Sequence, residues 1–474
     1  MSIPIALALA ATVAAIPVAA ADGPSETIYR ADGDALFTGG DEPVADGYAM
    51  VHELRPATPV PGQQAVVIEG LPSLLDAEAV NAGFDGGTKI LAQRVVSAGN
   101  GGRLAAHRSQ PVRVLAADGH EIVSGTLESI DSSGLGIRTA DGSTSYVHDY
   151  ARVVFAPGSG AAGSTLRLAL GGRPAHDEVN LAYPTSGLGW RASYSAALAD
   201  GADCRIQLTT LASIANRSGR DYDGARLTLI AGSPNFASGY PPRPMMKAMA
   251  AAAPMAEAMP EQSSLGDYRS YALASRIDLP DASVTLVPLY DPADLDCTRR
   301  WIFETGGAWF PAKPQTVAGH DGRQGGPVRS ELAFEAQENL PAGKLRVLTR
   351  DKGALQFLGA SNIADTPKGR KVDIMVGTAF QLTAERERTA FKLDRAAREM
   401  TEGFRITLGN TGDAPRTITV REHPNRWRNW TLAASSTKPD KVTPDLLEFR
   451  VPVPADGKVM LDYTVRYHWT AADE

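Results

Sequence analysis

The chain has 474 residues and a formal net charge of -7, which is too long for one compact core and points to roughly two to four domains. The mild negative balance, with no basic stripe interleaved by aromatics, argues against a nucleic-acid partner. Gly (46) and Pro (32) are both plentiful, which favours many turns and short strands.

Residues 1–21 form an apolar stretch that ends in small residues before Asp22. This is the pattern of a secretory signal cleaved after Ala20 or Ala21, although no Lys or Arg precedes the apolar run. A retained anchor is the alternative, because the stretch nearly reaches spanning length. Pro17 and the small-residue exit favour cleavage. No later segment is apolar and long enough to cross a bilayer, so the mature form is expected not to span the membrane. The expected location is the periplasm or the cell surface.

Residues 22–163 read as an N-terminal small β domain, with strand patterns at 48–54, 64–69, 89–96, 112–116, 121–130 and 146–155. Asp118-Gly119 and Asp141-Gly142 are hairpin signals between them. Residues 164–235 read as the first part of a central β domain, and 267–395 as its remainder. Between them, residues 236–266 are rich in Met, Pro and Ala without a period, the composition of a flexible insert. Around 385–400 the pattern is ambiguous. Phe391, Leu393, Ala396, Ala397 and Met400 fit one helix face, while Phe391 and Leu393 also alternate as in a strand. Strand is preferred, because the flanks are β. Residues 396–474 have the size and alternation of an Ig-like sandwich. The expected fold is therefore mainly β, a small N-terminal β domain followed by β-sandwich (Ig-like) domains.

Two segments repeat one device. Asn216-Arg217-Ser218-Gly219 and Asn410-Thr411-Gly412 each end a strand pattern and lead into a second one. Asn and Gly tolerate positive φ in such turns, so Gly219 and Gly412 are both expected to adopt it.

Few motifs suggest chemistry. Cys204 and Cys297 are the two cysteines; in an exported chain an even pair invites a disulfide, but spacing alone leaves two separate thiols equally open. Gly158-Ser159-Gly160-Ala161-Ala162-Gly163 matches a dinucleotide fingerprint in letters, yet a strand pattern follows where a helix is required. Met245, Met246, Met249, Met255 and Met259 could serve as soft Cu(I) ligands, but their low-complexity setting reads as a spacer. Asp221 and Asp223 lack the later ligands of a calcium loop. The histidines are scattered without zinc-site spacing. No cofactor and no metal is expected. Trp427, Arg428 and Trp430 form a candidate binding surface, since exposed Trp and Arg anchor partners; core packing of the tryptophans is the alternative.

Trp190-Arg191-Ala192-Ser193-Tyr194, Asn216 through Tyr222, Arg226-Leu227-Thr228-Leu229, Glu422 with Trp430 and Ser435-Ser436, and the closing Leu461-Asp462-Tyr463-Thr464-Val465 occur in an order that resembles a bacterial exported family. That family is built on domain of unknown function 4139 and is related to mucoidy-inhibitor-A-like proteins, whose long coiled coil is absent here. Ala192 stands where the family often has Pro, and Tyr222 where it often has Trp. The resemblance implies a β fold and an envelope location, and it carries no catalytic residues. The leading expectation is a non-enzymatic binding or structural protein of the cell envelope whose partner is an envelope protein or a surface polymer. A polysaccharide- or ester-acting hydrolase with dispersed residues is the alternative.

Overall fold

A computed structural model describes residues 23–38, 40, 43–96, 104, 110–131, 134–155, 163–199, 204–232, 261–265, 268–319 and 324–473. The signal stretch, the methionine cluster and all but the last glycine of the 158–163 run lie outside the described residues. Strands dominate what is described, so the mainly β expectation holds. The segment following Gly163 is the strand Ser164–Leu170, which leaves a dinucleotide fingerprint without its helix. Residues 385–400 also resolve to β structure, with the strand Lys371–Asp394 turning into Glu399–Asn410.

The chain forms two compact units that do not follow its order. One holds residues 1–190 and 214–285, the other 191–213 and 286–474. In the first unit, the strand Ser25–Tyr29 runs parallel to Tyr222–Ala231 on one side and antiparallel to Ala49–Pro56 on the other. Glu178–Thr185 continues that sheet beyond Ala49–Pro56. The beginning of the described chain is thus stitched between segments far apart in sequence. A five-stranded sheet from Pro111–Leu115 to Arg152–Phe155 packs its own core of Val112, Val114, Leu127, Leu135, Ile137 and Val147. Both Asp-Gly turns of this sheet place glycine in the left-handed region, Gly119 at φ 88° and Gly142 at φ 84°. Only glycine adopts this freely.

In the second unit, long strands cross a thirteen-stranded sheet. Ser283–Thr305 pairs with Gln324–Glu335, which pairs with Lys371–Asp394; Glu399–Asn410 and Gly457–His468 follow. Arg416–Glu422 lies parallel to the end of Ser283–Thr305. Side chains from these strands, with Phe449 of the strand Leu446–Val453 and Trp427 of the loop after Arg416–Glu422, build one core that also includes Phe303, Phe404, Ile406, Val420 and Tyr463. Cys204 and Cys297 are bridged within this unit, 93 residues apart in sequence.

Both asparagine turns use the same hydrogen bonds. Asn216 Nδ2 donates to Arg220 O at 2.7 Å and to Leu279 O at 2.8 Å, while its Oδ1 accepts from Ser218 N at 3.1 Å. Asn410 Nδ2 donates to Ala414 O at 2.9 Å and to Pro454 O at 3.0 Å, and its Oδ1 accepts from Gly412 N at 3.0 Å. The side-chain amide thereby substitutes for missing main-chain partners at a sheet corner. The glycines differ. Gly219 has φ 84°, whereas Gly412 lies outside the left-handed region. The expectation of positive φ at Gly412 is therefore corrected.

Candidate functional site

A cavity of about 200 Å³ in the second unit gathers Thr305, Gln324, Arg386, Glu402, Phe404, Glu422, His423, Asn425, Arg426, Tyr463 and Tyr467. Strand register brings them to one level. Glu422 stands opposite Thr305, Arg386 opposite Gln324, and Phe404 opposite Tyr463 across successive ladders. Thr305, Arg386, Glu402, Glu422, Arg426 and Tyr463 line it because each finds a charged or hydroxyl partner; without one, such burial would cost several kcal/mol per group.

Two buried carboxylates organise the lining. Glu422 Oε2 accepts from Arg386 Nε at 2.8 Å and from the Tyr463 hydroxyl, and Oε1 accepts from Thr305 Oγ1 at 2.6 Å. Burial opposes the charge on Arg386, but the attraction of Glu422 outweighs it and holds the guanidinium protonated. Burial, reinforced by Glu422, also pushes the Tyr463 hydroxyl well above its ordinary range, so Tyr463 remains a donor. Glu402 Oε1 takes Arg388 Nη1 at 3.2 Å and Arg426 Nη2 at 3.0 Å. The same two arginines reach the segment that follows Ser283–Thr305. Arg388 Nη1 donates to Ala318 O at 2.5 Å, and Arg426 Nη1 to Val317 O at 2.6 Å. Gln315 N returns a bond to Arg426 O at 3.0 Å. The loop beside the cavity is thus tied to a buried carboxylate through two guanidiniums.

At the rim, His423 Nε2 lies 3.0 Å from Glu304 Oε1 and Nδ1 lies 2.6 Å from Asp445 O. Burial would raise the Glu304 carboxyl, but the bonds from His423 and Arg329 outweigh it and keep the group below its ordinary range. Among the described residues, no group of three or more His, Cys, Asp or Glu side chains converges as a metal site. A larger groove, about 700 Å³, lies in the five-stranded sheet of the first unit. Its lining is mostly apolar and small, with Arg113 and Arg138 as its charged members, and it borders residues outside the described set. The smaller cavity is the better candidate, because it has convergent polar groups.

The candidate surface of the sequence lies next to this cavity and differs from it. Trp427 is fully buried in the core. Arg428 is exposed above it, 4.4 Å from the ring, and reaches Asp473 at 3.4 Å. Trp430 is partly buried and donates its indole N–H to Pro444 O at 2.7 Å. The tryptophan facing the core therefore offers no face to a ligand, and the neighbouring Arg426 and Asn425 are the residues that line the cavity.

In the first unit another buried glutamate, Glu53, has partners like those of Glu422. Arg220 grips Glu53 through two bonds, Nη1 to Oε1 at 2.6 Å and Nη2 to Oε2 at 2.7 Å. The Tyr183 hydroxyl adds a third at 2.7 Å. Burial acts against the charge on Glu53, yet these bonds hold its carboxyl below the ordinary range. Glu26 is fully buried nearby with no partner for either oxygen among the described residues, and burial pushes its carboxyl up to about 8.

Glu53 and Glu402 belong to no sequence motif. Arg220, Tyr222, Glu422 and Tyr463 stand inside the segments that carry the family resemblance, and that was the available signal. The family profile described as Domain of unknown function (DUF4139) matches residues 179–471. No curated protein matches the chain.

Proposed function

Because the chain belongs to the DUF4139 family, whose description assigns no activity, we propose that it acts as a non-enzymatic binding protein of the cell envelope. The bound partner is a surface polymer, one unit of which enters the cavity beside Arg426. The carrying observation is that both carboxylates of the lining are held by guanidiniums. Carboxylates committed in this way offer fixed hydrogen-bonding positions and are poorly placed to deliver or collect protons. Export is supported by the signal-like residues 1–21 and by the Cys204–Cys297 bridge, since such bonds persist in oxidising compartments. No helix among the described residues is long and apolar enough to cross a membrane.

A polysaccharide- or ester-acting hydrolase is the second reading, favoured by the presence of Glu402 and Glu422 in one cavity. Photo-crosslinking in cells separates the two readings. A photoreactive residue at Gln324 should capture envelope polymer in greater yield than the same residue at Tyr146, an exposed position of the other unit. Equal yields at the two positions would count against the cavity. Turnover of an envelope glycan or ester that Glu402→Gln abolishes would replace binding by hydrolysis.

A further inference from the structure

We infer that the unit admitted by the cavity is a single neutral, hydroxyl-bearing sugar ring; this rests on the binding role proposed above. The argument begins with charge. The lining carries two guanidiniums, Arg386 and Arg426, against two carboxylates, Glu402 and Glu422. An anionic ligand would meet both carboxylates, and a cationic one would meet both guanidiniums. Desolvating an unmatched charge there is costly.

Arrangement decides between the remaining neutral ligands. Each guanidinium is already bonded to a carboxylate, Arg386 to Glu422 at 2.8 Å and Arg426 to Glu402 at 3.0 Å. The cavity therefore has no positive end and negative end, and a zwitterion, with its poles separated, finds no matching axis. A hydroxyl group donates and accepts from the same atom. It can bond beside an arginine–glutamate pair in either direction without breaking it. Thr305, Gln324 and Asn425 extend the lining with groups that also donate and accept.

Size sets the last limit. Liquid water takes roughly 30 Å³ per molecule, so a cavity of about 200 Å³ has room for one small ring and not for a chain. The rest of a polymer would have to lie outside, past the exposed rim residues Gln324 and Asn425.

Titration of the purified full chain with single probes tests this inference. The probes are glucose, galactose, mannose and N-acetylglucosamine as neutral rings, glucuronate and inorganic phosphate as anions, glucosamine as a cation and alanine as a zwitterion, each followed by ligand-observed NMR and calorimetry. At least one neutral ring should bind more tightly than every charged or zwitterionic probe. Gln324→Ala and Asn425→Ala, both at exposed positions, should each weaken it about two- to tenfold, the effect of one lost hydrogen bond. Their unfolding midpoints should stay at the wild-type value. Preferential binding of glucuronate, phosphate, glucosamine or alanine, sensitive to the same two variants, would overturn the neutral-ring inference and leave the binding role standing. Absence of any variant-sensitive binding, with the Gln324 crosslink to polymer intact, would also overturn the ring and spare the role. Loss of both signals would overturn the two together.

Discussion

Both units bury a glutamate against one arginine and one tyrosine hydroxyl, and an aromatic ring lies under each guanidinium. In the first unit these are Glu53, Arg220 and Tyr183, with Tyr222 5.0 Å below the arginine. In the second they are Glu422, Arg386 and Tyr463, with Phe404 at 3.8 Å. Exposure is nearly the same, 14 % and 4 % for the first arginine and glutamate, 15 % and 3 % for the second. The surroundings set the two apart. The first trio is joined by a two-pronged fork, whereas the second faces the cavity with Thr305 and the rim residues. Chemistry of one kind thus works as a staple where a fork joins the pair and as a polar wall where space remains.

The largest expected effect breaks the closed trio. Arg220→Met removes the two-pronged fork on Glu53 and leaves the buried carboxylate with Tyr183 at 2.7 Å and the more distant Arg55 at 3.6 Å, which should destabilise the fold by about 3–5 kcal/mol. Chemical denaturation gives the value directly. A loss under about 1 kcal/mol would mean that the fork contributes little.

Glu26 sharpens the comparison through pH. Its carboxyl is pushed from an ordinary 4.5 up to about 8 by burial, with Arg220 acting against the shift and Glu53 for it. The folded state binds this proton more tightly than the unfolded chain does. Its contribution is therefore complete below about pH 4.5 and is lost as pH rises toward 8. Glu53 acts in the opposite sense, since its carboxyl is lowered and its stabilisation fades only as acid protonates it. Glu26→Gln should flatten the alkaline side of the stability profile, with a gain over wild type on the order of a few kcal/mol at pH 8. Parallel profiles for the two proteins between pH 5 and pH 8 would show that the side chain does not titrate in that window.

The cavity-facing trio should be more forgiving. Arg386→Met leaves Glu422 with Thr305 and Tyr463, and water can enter the adjoining space. A destabilisation of about 1–3 kcal/mol is expected, below that of Arg220→Met. Equal losses in the two variants would remove the distinction between staple and wall.

The mainly β class and the asparagine corners were legible in the sequence because alternation and turn chemistry are local. The trios were not. Glu53 lies 130 residues from Tyr183 and 167 from Arg220, and it sits on a strand whose later residues alternate with exposed ones, so it resembles any solvated glutamate. Arg386 and Arg388 fall in the stretch where helix and strand patterns compete, and their charge suggests a wet face. Trp427 and Trp430 drew attention through composition, although the neighbouring Arg426 and Asn425 reach the cavity. Spatial convergence of the strands, set by register, supplied what spacing could not.

The smallest effect lies at the corners, where the units are most alike. Gly219 has φ 84°, and a Cβ there would stand 2.4 Å from Ser73 Oγ and 3.0 Å from its Cβ. Gly219→Ala should therefore cost about 1–3 kcal/mol. At Gly412 the backbone is outside the left-handed region, and the nearest atom to a new Cβ is Gln381 Oε1 at 2.8 Å, the end of a side chain that can swing away. Gly412→Ala should change stability by no more than about 0.5 kcal/mol, since alanine also lowers the entropy of the unfolded chain. Thermal midpoints measured side by side give the ratio. If the two substitutions cost the same, the shared Asn hydrogen bonds govern both corners and the φ difference carries no weight. If only Gly219→Ala is costly, the resemblance of the corners stops at the asparagine, with glycine required in one turn and merely tolerated in the other.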